Sequence, residues 1–142
     1  MENKKTSVFA VLLLLLALAA LAAGCGGGTA DPSRGTPEEG VFQIYYLDAS
    51  GTVLTPNEYR TETRDTDLLI AELMDQLRTV PNDLDSQSAI PERVEYRDFR
   101  REEMVVYLLF SDSYNAMSRD QEILCRAALA KTLTQAPGVN YI

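Results

Sequence analysis

The chain of 142 residues contains no histidine. That absence removes the commonest general base near neutral pH, the Ser-His-Asp and Cys-His nucleophilic constellations, and most zinc sites. Only carboxylate-based catalysis and oxygen-ligand sites such as calcium stay open. Basic residues are also scarce: 13 Lys and Arg stand against 21 Asp and Glu, for a net charge of −8. A field of that sign makes nucleic acid and anionic lipid poor candidates as partners, since both require positive charge. There are two cysteines, Cys25 and Cys125.

What the sequence does have is a distinctive beginning. Lys4 and Lys5 precede an apolar run of 16 residues, Val8 to Ala23, and small residues follow. A membrane-spanning helix needs roughly 20 apolar residues. A positive start, a short apolar middle and a small-residue end describe a secretory signal peptide. The run closes on Leu21-Ala22-Ala23-Gly24-Cys25. This resembles the lipobox of bacterial lipoproteins, in which the cysteine thiol receives a diacylglycerol bearing fatty acids such as palmitate and becomes the first mature residue. Ala22 stands where leucine is commonest, with Leu21 one place earlier. The resemblance implies a leader over residues 1–24, lipidation at Cys25 and an extracytoplasmic location on the cell membrane. Two or three acyl chains anchor stably where one holds only marginally. Loss of the leader removes Lys4, Lys5 and Glu2 and takes the charge from −8 to −9. With Cys25 acylated, Cys125 has no internal partner. It is then either a reactive thiol or a small buried apolar residue, and its place in the helical pattern below favours burial.

Gly26 to Gly40 is composed of glycine, proline, serine, threonine and charge, with one alanine. Such a composition predicts a tether without a core, reaching about 20 Å by square-root scaling. With Cys25 it forms the segment 25–40. Residues 41–142 are enough for one small domain.

Within that domain Val41 to Leu47 is β-branched and aromatic, a predicted strand, followed by a turn at Asp48-Ala49-Ser50-Gly51. Thr52-Val53-Leu54 predicts a short strand ending near Pro56. Asp65 or Thr66 caps a helix carrying the stripe Leu69, Ile70, Leu73, Met74 and Leu77. Ile90-Pro91 begins an extended segment with Val94 and Tyr96 alternating, and Asp98 to Glu102 turns the chain. Met104 to Phe110 is apolar on both alternations and predicts a central strand covered on both faces. Ser118 caps a second helix, with Leu124, Cys125, Ala128, Leu129 and Leu133 on one face and Ile123, Ala127 and Ala130 on the other. Pro137-Gly138 ends it, and Val139 to Ile142 begins a last strand. The fold class is α+β: one small domain, a mixed sheet with two helices, in the order β-β-α-β-β-α-β.

Four stretches resemble the GerMN domain, the sporulation and spore germination module of bacterial lipoproteins: Val41 to Leu47 with its turn, Ser88-Ala89-Ile90-Pro91, Val105 to Ser111, and Leu133-Thr134-Gln135-Ala136-Pro137-Gly138-Val139. The last is the most specific. Two departures stand out. Phe99-Arg100-Arg101-Glu102 replaces the usual glycine turn of the middle hairpin, and the final strand lacks its familiar continuation after Ile142. The resemblance implies a non-enzymatic extracytoplasmic module, without cofactor, whose fold is similar to the ring-building motifs of secretion and sporulation channels.

Several residues are candidate sites. Asn82, Asp83 and Asp85 offer oxygen ligands, but their spacing does not fit a calcium loop and a solvated acidic loop accounts for them. Asp48, Asp112 and Glu122 are the carboxylates an acid–base pair would need, with nothing in the sequence joining two of them. Arg97, Arg100 and Arg101 form a mixed-charge cluster, read either as a solvated turn or as a partner contact. Ile123, Ala127 and Ala130 either face another element of the domain or let a second subunit approach. Tyr45, Tyr46, Tyr96 and Tyr107 lie on strands, where an open face would suit glycan stacking. The functional expectation is display of one surface to an envelope protein or to copies of itself, with peptidoglycan binding as the alternative.

Overall fold

A computed structural model describes residues 39–79 and 85–142. Cys25, the leader and most of the tether lie outside the described residues. The first element, β1 (Val41–Asp48), places Phe42, Ile44 and Tyr46 in the core and leaves the residues between them half-buried. This is the period-2 alternation of a strand with one wet face. β2 (Leu54–Arg60) pairs antiparallel along all but the last residue of β1, from Val41 opposite Arg60 to Leu47 opposite Leu54. It starts later and runs further than the sequence suggests. Pro56 lies inside it, which is tolerated because β2 is an edge strand and proline withholds a donor only from solvent.

The helix α1 (Thr66–Arg78) is capped by Asp65, whose side chain accepts from the Leu68 amide at 2.9 Å. Its expected stripe Leu69, Ile70, Leu73, Met74 and Leu77 is buried throughout. Each such side chain contributes about 1.5–3 kcal/mol by leaving water. A two-residue strand, β3 (Ser86–Gln87), pairs with Leu47 and Asp48 on the other edge of β1.

The following hairpin corrects the sequence reading. β4 (Tyr96–Glu102) continues through the stretch expected to turn, and Pro91 to Val94 is the turn instead. The chain reverses at Glu103 and Met104, with Glu103 in the left-handed region at φ 53°. Alternation explains this: Phe99 points inward while Asp98, Arg100 and Glu102 share the wet face. β5 (Val105–Phe110) pairs antiparallel with β4 alone, so the expected mixed sheet divides into a three-stranded sheet, β2-β1-β3, and a two-stranded one, β4-β5. Nor is β5 covered on both faces. Val106 is fully buried, but Tyr107 is 46% and Leu109 58% exposed.

A 3-10 turn at Asp112–Ala116 leads to α2 (Arg119–Leu133). Ser118 caps it as expected, in a reciprocal box: the Ser118 side chain accepts from the Gln121 amide, and the Gln121 side chain accepts from the Ser118 amide. Cys125, Ala128, Leu129 and Leu133 join the core. The last strand reduces to one parallel bridge, Tyr141 beside Val105. The domain is therefore α+β, with two helices and two antiparallel sheets in roughly the expected order.

Candidate functional site

The sequence motif at the end of α2 has a structural task. Upstream of β3, the edge of β1 has no strand beside it among the described residues. Side chains from α2 replace the strand. The Gln135 carboxamide accepts from the Gln43 amide at 2.8 Å and donates to the Gln43 carbonyl at 2.7 Å. Its two groups mimic a peptide unit. Thr132, fully buried, accepts at Oγ1 from the Tyr45 amide at 3.1 Å. Ala136 and Val139 are buried beyond it. Thr132 and Gln135 thus hold β1 against α2.

A groove lies between β5 and α2. It encloses about 640 Å³ and is lined by Leu108, Phe110, Tyr114, Arg126, Leu129 and Ala130 among others, Ile142 included. Phe110 organises one wall: its ring stacks on Tyr114 at 5.2 Å and meets Tyr96 edge-on at 5.8 Å. Arg126 donates to the Tyr114 hydroxyl at 3.2 Å and pairs with Glu122 at 2.8 Å, so its charge is compensated at the groove.

The backbone of β5 adds polar groups to this apolar trough. Residues 105, 107 and 109 face β4, and residues 106, 108 and 110 face away from it. The Val106 amide donates to the Tyr141 carbonyl at 2.9 Å, and the Tyr141 amide donates to the Met104 carbonyl at 3.1 Å. Beyond that bridge, no hydrogen bond among the described residues reaches the Leu108 amide, the Leu108 carbonyl or the Phe110 amide. Among the described residues this edge is paired at one end only.

The predicted site residues fall in different places. Arg97 is the extra residue of a bulge between Tyr96 and Asp98 and is exposed. Arg100 lies over the Tyr107 ring at 4.8 Å and pairs with Glu102 at 3.2 Å. Arg101 pairs with Asp67 at 2.6 Å, tying the hairpin to the first turn of α1. The three arginines are strand residues and do not form one tip. On α2, Ile123 is 55% exposed, Ala127 is half-buried and Ala130 lines the groove. Of the tyrosines, Tyr46 is core, Tyr45 is half-buried under Lys131 and Tyr96 is half-buried beside Phe110; Tyr107 alone of these four is on an open face. Tyr141, paired with Val105, joins it there.

The carboxylates do other work. Asp48 accepts from the Ser50 hydroxyl at 2.7 Å and from the Thr52 and Val53 amides, which hold its carboxyl below the usual range. Glu122 is paired with Arg126, and Asp112 lines the groove. Asn82 and Asp83 lie outside the described residues, and Asp85 is exposed. Among the described residues no cluster of metal-ligating side chains occurs. Burial pushes the Cys125 thiol up to about 11, which leaves it protonated and unreactive at neutral pH. Among the described residues no helix is long and apolar enough to cross a membrane.

A family model described as sporulation and spore germination, Germane, matches residues 43–142. No curated protein and no solved structure matches the chain.

Proposed function

Because the chain belongs to the Germane family of sporulation and spore germination, we propose that it serves that process as a lipid-anchored interaction module outside the cell membrane. Cys25 carries the anchor, and the domain of residues 41–142 presents the contact surface. The observation that supports this most is the apolar β5–α2 groove, which half-exposed Tyr107 also lines. An exposed apolar trough of this kind is suited to apolar side chains of a partner protein. Tethering on one membrane raises local concentration, so weak contacts suffice for assembly. The domain works by binding and has no catalytic step.

Peptidoglycan binding is the weaker reading. Of the four strand tyrosines only Tyr107 is on an open face, and Arg100 already covers one side of its ring. Two measurements on the purified protein separate the readings. Protein interaction predicts concentration-dependent sedimentation, or capture of an envelope protein, without retention on purified peptidoglycan. Retention on peptidoglycan by a monomer contradicts it.

A further inference from the structure

Residues 61–65 join β2 to α1 and read Thr-Glu-Thr-Arg-Asp. They offer no large apolar side chain to bury, so polar contacts must hold this connector down. We propose that it is a strap locked by the Glu72 carboxylate, and that in acid it opens as a unit together with the start of β1 while the core stays folded. The lock needs no partner and goes beyond the interaction reading. It sets how firmly the tether proposed above is joined to the domain.

Three observations carry it. First, donors from two segments converge on one carboxylate. The Tyr59 hydroxyl, on β2, donates to Glu72 Oε1, and the Thr63 hydroxyl bonds Glu72 from the strap. The Thr61 hydroxyl, which donates to Thr63 Oγ1 at 3.1 Å, extends the same relay. Thr61 and Thr63 are half-buried while Glu62 and Arg64 are exposed, so alternate strap residues turn inward. Second, the strap grips the start of the domain. The Thr61 amide donates to the Gly40 carbonyl at 3.0 Å, and Arg64 pairs with Glu39. Gly40 has φ 84°, and a Cβ there would lie 2.6 Å from the Thr61 carbonyl oxygen, so the two backbones are in contact. Third, among the described residues no ion pair reaches Glu72. The charged groups on the elements around it pair elsewhere: Arg60 with Glu58, Arg64 with Glu39, Arg78 with Asp75 and Arg101 with Asp67, while Asp65 accepts from the Leu68 amide. Hydroxyls alone hold the carboxylate, and their bonds are strongest when it is ionised. Burial pushes the Glu72 carboxyl up, but the hydroxyls of Thr63, Tyr59 and Thr61 outweigh it and bring it below the ordinary 4.5. The bond to Glu72 in turn pushes the Tyr59 hydroxyl up to about 12, so it remains a donor throughout. The lock is closed at neutral pH and opens as pH falls through the folded value of Glu72.

Amide hydrogen exchange on the full chain in detergent micelles tests this, from neutral pH downward and corrected for the intrinsic rate. At neutral pH the Thr61 and Thr63 amides should be protected, since they donate to the Gly40 carbonyl and to Thr61 Oγ1. Glu72→Ala should accelerate both by about tenfold and leave the Leu73 and Leu129 amides within about twofold of the parent. In the parent, protection at Thr61 and Thr63 should decline below pH 4.5, ahead of any change at Leu73 and Leu129. Glu72→Gln keeps an oxygen acceptor without the charge; it should give intermediate rates that no longer respond to acid. Should Glu72→Ala not fold, Thr63→Val removes a strap hydroxyl without touching α1 and should speed the Thr61 amide about threefold. Three results overturn the proposal: unchanged exchange at Thr61 and Thr63 in these variants, an acid response that survives in Glu72→Gln, or equal acceleration across the domain, which means Glu72 supports the whole fold. Any of these would leave the interaction reading standing. Retention of the monomer on peptidoglycan would remove that reading and leave the strap.

Discussion

Replacing Gln135 should cost more than its partly exposed position suggests. Its carboxamide closes two backbone groups of Gln43, at 2.8 and 2.7 Å, and so stands in for a strand on the β1 edge. In Gln135→Ala both groups lose their partner. A buried group left unsatisfied costs about 1–3 kcal/mol. Gln43 is only half-buried, so the lower half of that range applies to each group, giving about 2–4 kcal/mol in total. Thr132→Val removes one acceptor, from the Tyr45 amide, at nearly constant volume and should cost about 1–2 kcal/mol. Gln135→Glu should fall between, since a carboxylate still accepts from the Gln43 amide but faces the Gln43 carbonyl without a proton. The assay is urea unfolding followed by circular dichroism, and the Gln135→Ala midpoint should fall by roughly 2 M for a domain of this size. Exchange of the Gln43 and Tyr45 amides should accelerate in the corresponding variants. Midpoints within measurement error of the parent for both Gln135→Ala and Thr132→Val would refute the idea that side chains close this edge.

Gly40→Ala should destabilise by more than 1 kcal/mol, because Gly40 has φ 84° and an added Cβ would lie 2.6 Å from the Thr61 carbonyl oxygen; Gly51→Ala, with only a side-chain atom at 4.0 Å, should cost less in the same thermal melt. Cys125 should resist alkylation in the folded protein and react at the unfolded rate in denaturant, as followed by mass spectrometry. Stability should decline as pH falls below the ordinary carboxyl values of 3.8 for Asp48 and 4.5 for Glu72. Hydrogen bonds hold Asp48 low: the Ser50 hydroxyl first, then the Val53 and Thr52 amides. Burial pushes Glu72 up, but the hydroxyls of Thr63, Tyr59 and Thr61 together outweigh it. Both groups favour ionisation in the fold, so the unfolded chain binds more protons on the acid side and the stabilisation disappears as pH passes down through the folded values. Glu72→Gln should flatten that part of the profile.

The helices were legible because their signals are local. The α1 stripe at helical spacing, the Asp65 cap and the Ser118 cap follow from residues within two turns of each other, and the structure keeps all three. The arrangement of strands was less so. The charged run Arg97 to Glu102 looks like a loop by composition, yet its alternation lets Phe99 pack inward while the charges stay wet, and the strand persists to Glu102. Val105 to Phe110 reads as doubly covered because its apolar residues fall on both alternations; whether a neighbour covers each face is decided by strand order, which composition does not encode. The terminal motif was recognisable as a pattern, but its task became visible only once Gln135 was found beside Gln43, 92 residues earlier in the chain. Arg97, Arg100 and Arg101 fall at separate points of one strand for the same reason, and Ala130 lines the β5–α2 groove.

The most direct measurement is made in the source bacterium. A strain lacking the gene receives either the parent chain or Ala130→Arg, each checked for equal abundance and membrane attachment, and spore yield and germination are scored. A groove that binds an essential partner predicts that the parent restores both processes and that Ala130→Arg behaves as the deletion does. Full restoration by Ala130→Arg would contradict it.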